Sequence, residues 1–319
     1  MSAVGVIGAG AWGANLVRTF FNLGALAGVA ETDPAIREKL ASQYPGVPLF
    51  PDHAALLKAE IPAVAVATPA ATHYRLAKEA LLAGRDVFVE KPLALSLAEA
   101  RELVELAQSR GRILMAGHLL LYQPAVRWIK NFLSSGGLGR PAYLVQERLK
   151  LGRVRAVENV LWSFGVHDVA VLLYLVGEAP RRVLAVGRRF LQPGVEDEVH
   201  LHLEFESGVQ AHLHVSWLWP ENRRRLTIVG SEAMLTYDEL TQEVTLHRKK
   251  VGPDQAAEDR GQEVVFRGEG EPLLLECRHF LECVETRRQP LSDGQSALAV
   301  VEVLERAQKQ LEGGGPWKE

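Results

Sequence analysis

The sequence has few cysteines, no long apolar run and no strong net charge. Its two cysteines, Cys277 and Cys283, fall within one predicted helix and cannot build a disulfide framework. No apolar run reaches the roughly 18–20 residues of a membrane span, and the start, MSAVGVIGAGAWG, lacks the features of a signal peptide. A net charge of −3 offers no basic footprint for nucleic acid. These absences favour a cytoplasmic protein without membrane or nucleic-acid partners.

The 319 residues, 47% of them hydrophobic, are enough for about two domains with real cores. Up to about His118, short apolar runs alternate with amphipathic helical stretches, which predicts a Rossmann-like, doubly wound parallel sheet. After about Leu121, strands follow one another with few helices between them. This predicts an α+β domain with a large, mixed, mostly antiparallel open sheet. We therefore divide the chain into domains 1–121 and 122–319.

A glycine motif joins the first apolar run to the first helical stretch. The residues Gly8-Ala9-Gly10-Ala11-Trp12-Gly13 match GxGxxG in the strand-to-helix context that the motif needs. Gly8 allows a tight turn, Gly10 lets the backbone approach a pyrophosphate, and Gly13 allows close helix–strand packing. The helix start adds backbone donors and a positive dipole end. The motif predicts a dinucleotide site in domain 1–121, with Ala11 and Trp12 among its contacts.

An acidic residue closes the second apolar run, LAGVAE. The carboxylate of Glu31 can accept both hydroxyls of an adenosine ribose, although a solvated strand end is the alternative. No cation follows before Arg37, so a 2′-phosphate would have little to meet, and NAD is favoured over NADP. Asp33, directly before Pro34, suits a helix N-cap.

Two more polar segments stand at predicted strand ends. Thr68-Pro69 follows 63-AVAVA-67, and Glu90-Lys91-Pro92 follows 86-DVFV-89. Because ligands of parallel sheets bind along the carboxyl edge, these segments and the glycine motif should share one crevice, with Lys91 facing the cofactor. The alternative is a pair of surface turns with solvated side chains.

Four segments occur in an order that resembles a known family. They are GAGAWG at 8–13, ATPAATH at 67–73, VEKPLA at 89–94, and glycine-x-histidine at 165–167. Together they resemble the glucose–fructose oxidoreductase, inositol dehydrogenase and rhizopine-catabolism (Gfo/Idh/MocA) family over essentially the whole chain. The resemblance implies an NAD-dependent sugar or polyol dehydrogenase whose cofactor contacts include Thr68, Pro69, His73, Glu90, Lys91 and Pro92. The family's usual assembly, together with a broad open sheet face, implies a homodimer or homotetramer.

Two further stretches narrow the resemblance. The segments 117-GHLLLYQPAV-126 and 158-ENVLWSFGVHDVAVLLYLVGEAP-180 are similar to the branch of sugar-nucleotide 3-dehydrogenases, which oxidise C3 of UDP-N-acetylglucosamine or its uronic acid. By this resemblance Lys91 lies beside the nicotinamide and the reacting hydroxyl, and His167 is the general base. An imidazole, with an ordinary pKa of about 6.5, suits that task. The alternatives are a surface lysine and a helix-capping histidine.

The family often has an aspartate four residues before this histidine, where the present chain has Ser163. Asp168 is no substitute, because neighbouring helical residues point about 100° apart. A relay through a carboxylate at 163 is therefore excluded. The departure leaves room for a non-catalytic NAD(P)-binding sensor as one alternative function, and a dehydrogenase of a free sugar or inositol is the other.

Several polar residues are weaker candidates for substrate contacts. The loop 148-RLKLGRVR-155 carries four cations, and Arg148, Arg153 and Arg155 suit a substrate diphosphate or simply a solvated basic loop. His118 and Tyr122 follow the last strand of the first domain and either touch substrate or pack at the domain junction.

Four histidines alternate along 198-EVHLHLEFESGVQAHLHV-215. A hairpin with a short connection at 206–208 places His202 opposite His212 and His200 opposite His214. Such a face could hold zinc, but hydride transfer to NAD needs no metal and no HExxH or CxxC stands nearby. We therefore expect no metal site and favour a polar face, with a subunit contact as one use for it.

Overall fold

The computed structural model describes residues 3–312 and contains two compact units. Within the described part of the chain, unit 1 runs to Leu119 and also includes Glu271–Val301, while unit 2 contains Leu120–Gly270 and the described residues from Glu302 to Glu312. Among the described residues, no helix combines the length and the apolar character needed to cross a membrane.

Six parallel strands form the sheet of unit 1, which confirms the predicted doubly wound fold. They are β1 (Val4–Ile7), β2 (Leu26–Ala30), β3 (Leu49–Phe50), β4 (Ala63–Val66), β5 (Asp86–Glu90) and β6 (Leu114–Gly117). Their spatial order is β3-β2-β1-β4-β5-β6, and every residue of β1, β4, β5 and β6 is buried, as expected of parallel strands covered on both faces. The strand order reverses between β1 and β4, where ligands of such sheets bind.

Of the α-helices that the structure describes, seven belong wholly or partly to unit 1, and three of them begin at the capping side chains of Asp33, Asp52 and Ser96. The seven are α1 (Gly13–Asn22), α2 (Pro34–Gln43), α3 (His53–Leu57), α4 (His73–Leu82), α5 (Leu97–Ser109), α8 (Pro272–Thr286) and the start of α9 (Gly294–Glu312). The predicted cap of α2 is confirmed, because the side chain of Asp33 accepts the N–H of Ala35 at 2.8 Å. Strand β3 and helix α3 were not predicted, since elements of two and five residues are too short to show a period.

A C-terminal segment completes unit 1. Arg287 donates two hydrogen bonds to the buried carboxylate of Asp86, at 2.6 and 3.0 Å. The N–H of Ala116, in β6, donates to the carbonyl of Ser292 at 2.8 Å, and the Ser292 hydroxyl donates to the carbonyl of Ala116 at 2.7 Å. Strands β5 and β6 are thus joined to the segment around α8 and α9 by polar contacts, of which the Arg287 contacts are partly buried and the Ser292 hydroxyl contact is buried.

The domain division predicted from the sequence differs from these units in that segment. The boundary at 121 lies close to the observed change at 119–120, but 271–301 belongs with unit 1 and not with the second domain. An amphipathic helical pattern shows that a face is buried, and it does not show which sheet buries it.

Eight strands form the sheet of unit 2, in the order β14-β13-β12-β11-β7-β10-β9-β8. They are β7 (Pro141–Leu151), β8 (Arg182–Arg188), β9 (Glu198–Glu204), β10 (Gln210–Ser216), β11 (Leu218–Gly230), β12 (Met234–Asp238), β13 (Glu243–Val251) and β14 (Ala257–Arg267). Strands β7 and β10 pair in parallel, and the other neighbours pair antiparallel. The predicted mixed, mostly antiparallel sheet is confirmed.

The helices of unit 2 are α6 (Pro124–Ser134), α7 (Val166–Val176) and the later part of α9. Helix α7 follows directly on a π-helical turn at Leu161–Gly165 and ends at Gly177, whose φ of 88° is left-handed. The predicted register of the histidine hairpin is confirmed, since His200 pairs with His214 and His202 with His212.

Candidate functional site

The glycine loop has the geometry that its spacing predicts. Gly8 leaves β1 with φ of 91°, a conformation that favours glycine. A Cβ on Gly13 would lie 2.1 Å from the carbonyl oxygen of Gly8, whereas a Cβ on Gly10 would meet nothing within 4 Å. No side chain caps the start of α1, where Trp12 is the N-cap residue. The loop therefore presents an open backbone surface and a helix start that can bind a pyrophosphate.

The carboxylate of Glu31 is held against this loop. Its Oε2 accepts the N–H of Ala9 at 2.7 Å, and its Oε1 accepts the N–H of Asp33 at 3.0 Å. Arg37 donates to the backbone carbonyls of Glu31 and Thr32 at 2.6 and 2.9 Å. The end of β2 thus carries an acid with a fixed position. Arg37, six residues further along the chain, lies at the same strand end.

A cavity of about 630 Å³ brings these segments together within unit 1. Among the predicted cofactor residues, it is lined by Gly8, Gly10, Ala11, Trp12, Glu31, Thr68 and Pro69. Lining residues that the sequence did not predict include Asp52, His53, Thr72 and Arg75. Two of them belong to the short helix α3 or its cap, so no sequence period pointed to them. The volume, and a mainly apolar lining with a few polar groups, suit one end of a dinucleotide.

His73, predicted as a cofactor contact, is buried between two strand-end loops. It is 1% exposed, and its ring nitrogens lie 2.7 Å from the carbonyl oxygen of Pro92 and 2.8 Å from that of Thr68. The ring therefore joins two strand-end loops and does not face an open cavity. Thr68 itself lines the cavity and shares a 2.7 Å hydrogen bond with Thr72.

The strand end that carries Lys91 is built around a buried acid. Glu90 is the last residue of β5 and accepts a short hydrogen bond from the indole N–H of Trp12. Burial raises the pKa of Glu90 to about 7, although Trp12 and the Lys91 ammonium oppose the rise. Lys91 is half-buried, and its own N–H donates to Glu90 at 3.3 Å. A titratable acid thus adjoins the lysine to which the family resemblance assigns a catalytic role.

Two further buried groups lie near this acid and lysine. His118 is 2% exposed, and neither ring nitrogen has a hydrogen-bond partner. Burial, and to a smaller extent the charge of Lys91, lowers the pKa of His118 to about 4. Glu276, in α8, is fully buried with both carboxylate oxygens unpartnered; burial and then the charge of Glu90 raise its pKa well above the usual range. Burial therefore favours the neutral form of both groups.

Sequence reasoning missed Glu276, although a signal was present. Glu276 shares a helical face with the buried Phe280 and Cys283, at spacings of four and seven residues. An acid on an apolar face is costly unless it is neutral or used, so the position was open to detection.

In unit 2, His167 stands in the first turn of α7, next to a buried ion network. Its neighbour Asp168 accepts from Arg148 Nε at 2.7 Å and from Gln146 at 2.9 Å. Arg148 also reaches Glu239 at 2.7 Å. Burial would lower the pKa of Arg148, but the two carboxylates more than offset this and raise it. The network fastens the first turn of α7 to strand β7, with Gly165 and not His167 at the cap position.

The three arginines predicted for a diphosphate do not share one environment. Arg148 is 7% exposed and its guanidinium is engaged by Asp168 and Glu239, so it is not a free cation for substrate. Its buried position follows from β7, where alternate residues from Leu144 onward face inward. Arg153 and Arg155 are exposed and remain candidates.

The other predicted positions are buried. Tyr122 is 1% exposed, in a 3₁₀ turn at the start of unit 2. Ser163 is 6% exposed, within the π-helical turn before α7.

Comparisons with known proteins agree with this arrangement. A family model described as "Oxidoreductase family, NAD-binding Rossmann fold" matches residues 2–118, and the "GFO/IDH/MocA C-terminal domain" matches residues 126–236. A UDP-N-acetylglucosamine 3-dehydrogenase of Acidithiobacillus ferrooxidans is 28% identical over 298 residues, 93% of either chain. A solved structure of the enzyme of that name and organism has a TM-score of 0.86, is 27% identical, and covers 98% of each chain. The scyllo-inositol 2-dehydrogenase (NAD(+)) of Bacillus subtilis is 27% identical, over 80% of this chain and 77% of its own.

Proposed function

The chain belongs to the Gfo/Idh/MocA oxidoreductase family, and from this membership we propose that it oxidises a sugar hydroxyl by hydride transfer to NAD. The observation that carries the proposal is the cavity of unit 1, lined by the glycine loop, Glu31 and Thr68. The proposed substrate is a UDP-N-acetylhexosamine or its uronic acid derivative, oxidised at C3. Similarity to a UDP-N-acetylglucosamine 3-dehydrogenase along nearly the whole chain supports this choice.

The residues of unit 1 fit a dinucleotide. The open backbone at Gly10 and the uncapped start of α1 suit the pyrophosphate, and Glu31 suits the ribose hydroxyls. We propose NAD as the preferred cofactor, because the carboxylate of Glu31 would repel a 2′-phosphate. Arg37, which donates to backbone carbonyls at this strand end, favours NADP only if it turns toward the phosphate. When bound, the nicotinamide supplies the acceptor for hydride.

We assign the proton and the oxygen of the substrate to two residues of the chain. His167 takes the hydroxyl proton as the carbon loses hydride, so the alcohol becomes a ketone. Lys91 donates a hydrogen bond to the same oxygen and stabilises the charge that develops on it. Asp168, held by Arg148 and Gln146, acts as a positioning residue for the turn that carries His167. With Ser163 at the position of the family's aspartate, no carboxylate relay is assigned.

A second candidate is the same reaction on a free sugar or inositol. One of the matching relatives is an inositol dehydrogenase, and Arg148, engaged by two carboxylates, leaves fewer cations for a diphosphate. Arg153 and Arg155 are both exposed. A requirement for these two arginines in substrate binding therefore distinguishes a UDP-sugar from a free sugar or inositol.

The test is a substrate panel read by the absorbance of reduced nicotinamide. Purified protein is given NAD or NADP with UDP-N-acetylglucosamine, its uronic acid, the free sugars, or inositols. The double variant Arg153→Ala/Arg155→Ala is compared with Arg110→Ala, which removes an exposed arginine elsewhere in the chain. Light scattering on the same preparation tests the proposed homodimer or homotetramer.

Each outcome selects one function. Turnover with the UDP-sugars alone, with KM raised in the double variant but not in Arg110→Ala, supports the nucleotide-sugar proposal. Equal turnover of free sugars or inositols replaces it with the second candidate. Binding of NAD without turnover on any substrate contradicts both and leaves a sensor.

A further inference from the structure

One face of the sheet in unit 2 carries a cluster of imidazoles and carboxylates. Along β9 and β10, Leu201, Leu203, Leu213 and their even-spaced neighbours are buried on one side of the sheet. The opposite side carries Glu198, His200, His202 and Glu204 from β9 and His212 and His214 from β10. We call these six residues the histidine face. It lies outside the residues assigned to the dehydrogenase reaction.

Three members of the histidine face converge on one point. His214 Nε2 lies 2.9 Å from Glu198 Oε1, and His200 Nε2 lies 3.5 Å from the same oxygen. The two imidazoles stack with ring centroids 4.0 Å apart. One ligand atom from each residue lies within 4.8 Å of the other two. Glu198 is the member that the sequence did not single out, because it is opposite Ser216 and not opposite a histidine.

These separations match those between ligands of a tetrahedral ion. Bonds of about 2.0–2.2 Å from a central zinc to nitrogen and oxygen place neighbouring ligand atoms roughly 3.3 Å apart. The distances of 2.9 and 3.5 Å lie on either side of this value. Because the two imidazoles stack with only 16° between their planes, one ring must also turn so that both lone pairs point at the ion. His200, whose side chain is 59% exposed, is the ring with room to turn.

We propose that Glu198, His200 and His214 form a zinc site on the surface of unit 2, in place of the metal-free polar face expected from the sequence. Two imidazoles and one carboxylate are a donor set that zinc accepts, with a water in the fourth position. The ring of Trp219 stands edge-on to His214, with centroids 5.5 Å apart, and limits its rotation. Because the ligands come from two neighbouring strands, the ion would clamp β9 to β10. Its role is structural, and the dehydrogenase reaction does not depend on it.

The second histidine pair of the same face provides a matched control. His202 Nδ1 and His212 Nδ1 lie 3.3 Å apart, a separation that suits two ligands of one ion. However, Glu204 approaches the other ring nitrogen of His202, at 3.4 Å, and also contacts Arg181 and Arg182. No third donor among the described residues completes this pair. It should bind zinc weakly or not at all.

The experiment is a metal titration of the full chain after removal of any purification tag and treatment with EDTA. Calorimetry with Zn²⁺ measures stoichiometry and Kd, and the visible spectrum with Co²⁺ reports tetrahedral coordination. The variants are Glu198→Gln, His200→Ala and His214→Ala, with His212→Ala as the control. Thermal unfolding of each metal-free variant verifies that it is folded.

We expect one Zn²⁺ per chain and a rise in the unfolding midpoint on binding. Each of the three ligand variants should weaken binding by at least about tenfold, the lower end of what even an outer-shell partner contributes. His212→Ala should stay close to the affinity of the parent chain. Unchanged affinity in folded His214→Ala, or a larger loss in His212→Ala than in His200→Ala, would overturn the proposal, as would no binding to the parent chain.

Discussion

The indole N–H of Trp12 donates a hydrogen bond to the carboxylate of Glu90, seventy-eight residues further along the chain. The bond connects the glycine loop to the strand end that presents Lys91. It also satisfies one oxygen of an acid that is only 7% exposed. This hydrogen bond therefore couples the glycine loop to the Glu90-Lys91-Pro92 segment within unit 1. We expect a substitution in one of them to change the geometry of the other.

The second and third glycines of the motif, Gly10 and Gly13, should respond differently to the same substitution. Gly10→Ala meets no neighbouring atom, so we expect the unfolding midpoint to stay close to that of the parent chain, while Kd for NAD rises because the added methyl group occupies the pyrophosphate approach. Gly13→Ala would place its methyl group 2.1 Å from a backbone oxygen, and we expect a loss of stability of about 1–3 kcal/mol. Thermal unfolding and a binding titration separate the two effects. Full stability of Gly13→Ala would contradict the observed packing.

The proposed chemical roles make a kinetic prediction. Lys91→Met and His167→Gln should each lower kcat by at least about a hundredfold, the usual contribution of a positioned acid–base group. Lys78→Met is a suitable control, because Lys78 is a lysine of the same unit that pairs with Glu102 at 2.5 Å and is not among the residues that line the cavity. Steady-state rates with the substrate found in the panel provide the measurement.

The Lys78→Met control distinguishes the loss of a catalytic group from the loss of a positive charge. If Lys78→Met lowers kcat as much as Lys91→Met, loss of positive charge explains the effect and the catalytic role is lost. NAD binding, measured on each variant, distinguishes a failed reaction from a damaged cofactor site.

The buried network around Arg148 predicts a large stability cost. Asp168→Ala leaves the Arg148 guanidinium with one of its two buried carboxylate partners, and removal of a partner from such a pair costs roughly 3–5 kcal/mol. Arg223→Ala, which breaks exposed contacts with Glu147 and Glu221, should cost no more than about 1 kcal/mol. Urea unfolding of both variants measures the difference. Equal midpoints would show that the network contributes little.

Glu276 predicts a dependence of stability on pH. Its pKa in the folded chain lies above the usual 4.5, with burial as the main cause and Glu90 as the second. The folded chain therefore holds a proton that the unfolded chain releases, so this residue's contribution to stability falls as pH rises above about 4.5. Glu276→Gln has no carboxyl group to ionise at this position, so its stability should not fall with pH for this reason. Its unfolding midpoint should exceed that of the parent at about pH 8, and the difference should shrink toward about pH 5.

Glu102→Gln is the counterpart for that measurement. The pKa of Glu102 is lowered by its hydrogen bonds to Lys78 and Tyr74, so the ionised form is the one that contributes to stability, and the contribution is lost as pH falls. A gain for Glu102→Gln at alkaline pH equal to that of Glu276→Gln would indicate a general charge effect and contradict the role of burial.

The features that the sequence predicted well depend on local geometry. The glycine loop, the Asp33 cap and the histidine hairpin follow from turn chemistry and from the period of two along a strand, which fix neighbours within about twenty residues. Their side chains could therefore be placed correctly from the sequence alone. The predicted strand register paired the four histidines correctly, but it gave no reason to include Glu198 in a metal site with them.

The features that were missed depend on pairing across long sequence separations. In the sequence, Arg148 looks like Arg153, and only burial opposite Asp168 and Glu239 distinguishes them. Glu276 lies near Glu90 although 186 positions separate them along the chain. A single sequence shows that each charged group is present, but it does not show which groups meet in the interior. The energy of such a contact depends on burial, because it is large only where the fold excludes water.

The return of Glu271–Val301 to unit 1 has a consequence for synthesis in the cell. When Leu119 has left the ribosome, Asp86 still lacks Arg287, β6 still lacks Ser292, and Phe88 lacks the ring of Phe280. At typical elongation rates these partners appear on the order of ten seconds or more later. The nascent first unit must therefore persist with part of its apolar surface exposed, in the state that chaperones bind. A fragment intended to bind NAD alone should carry both pieces of the unit.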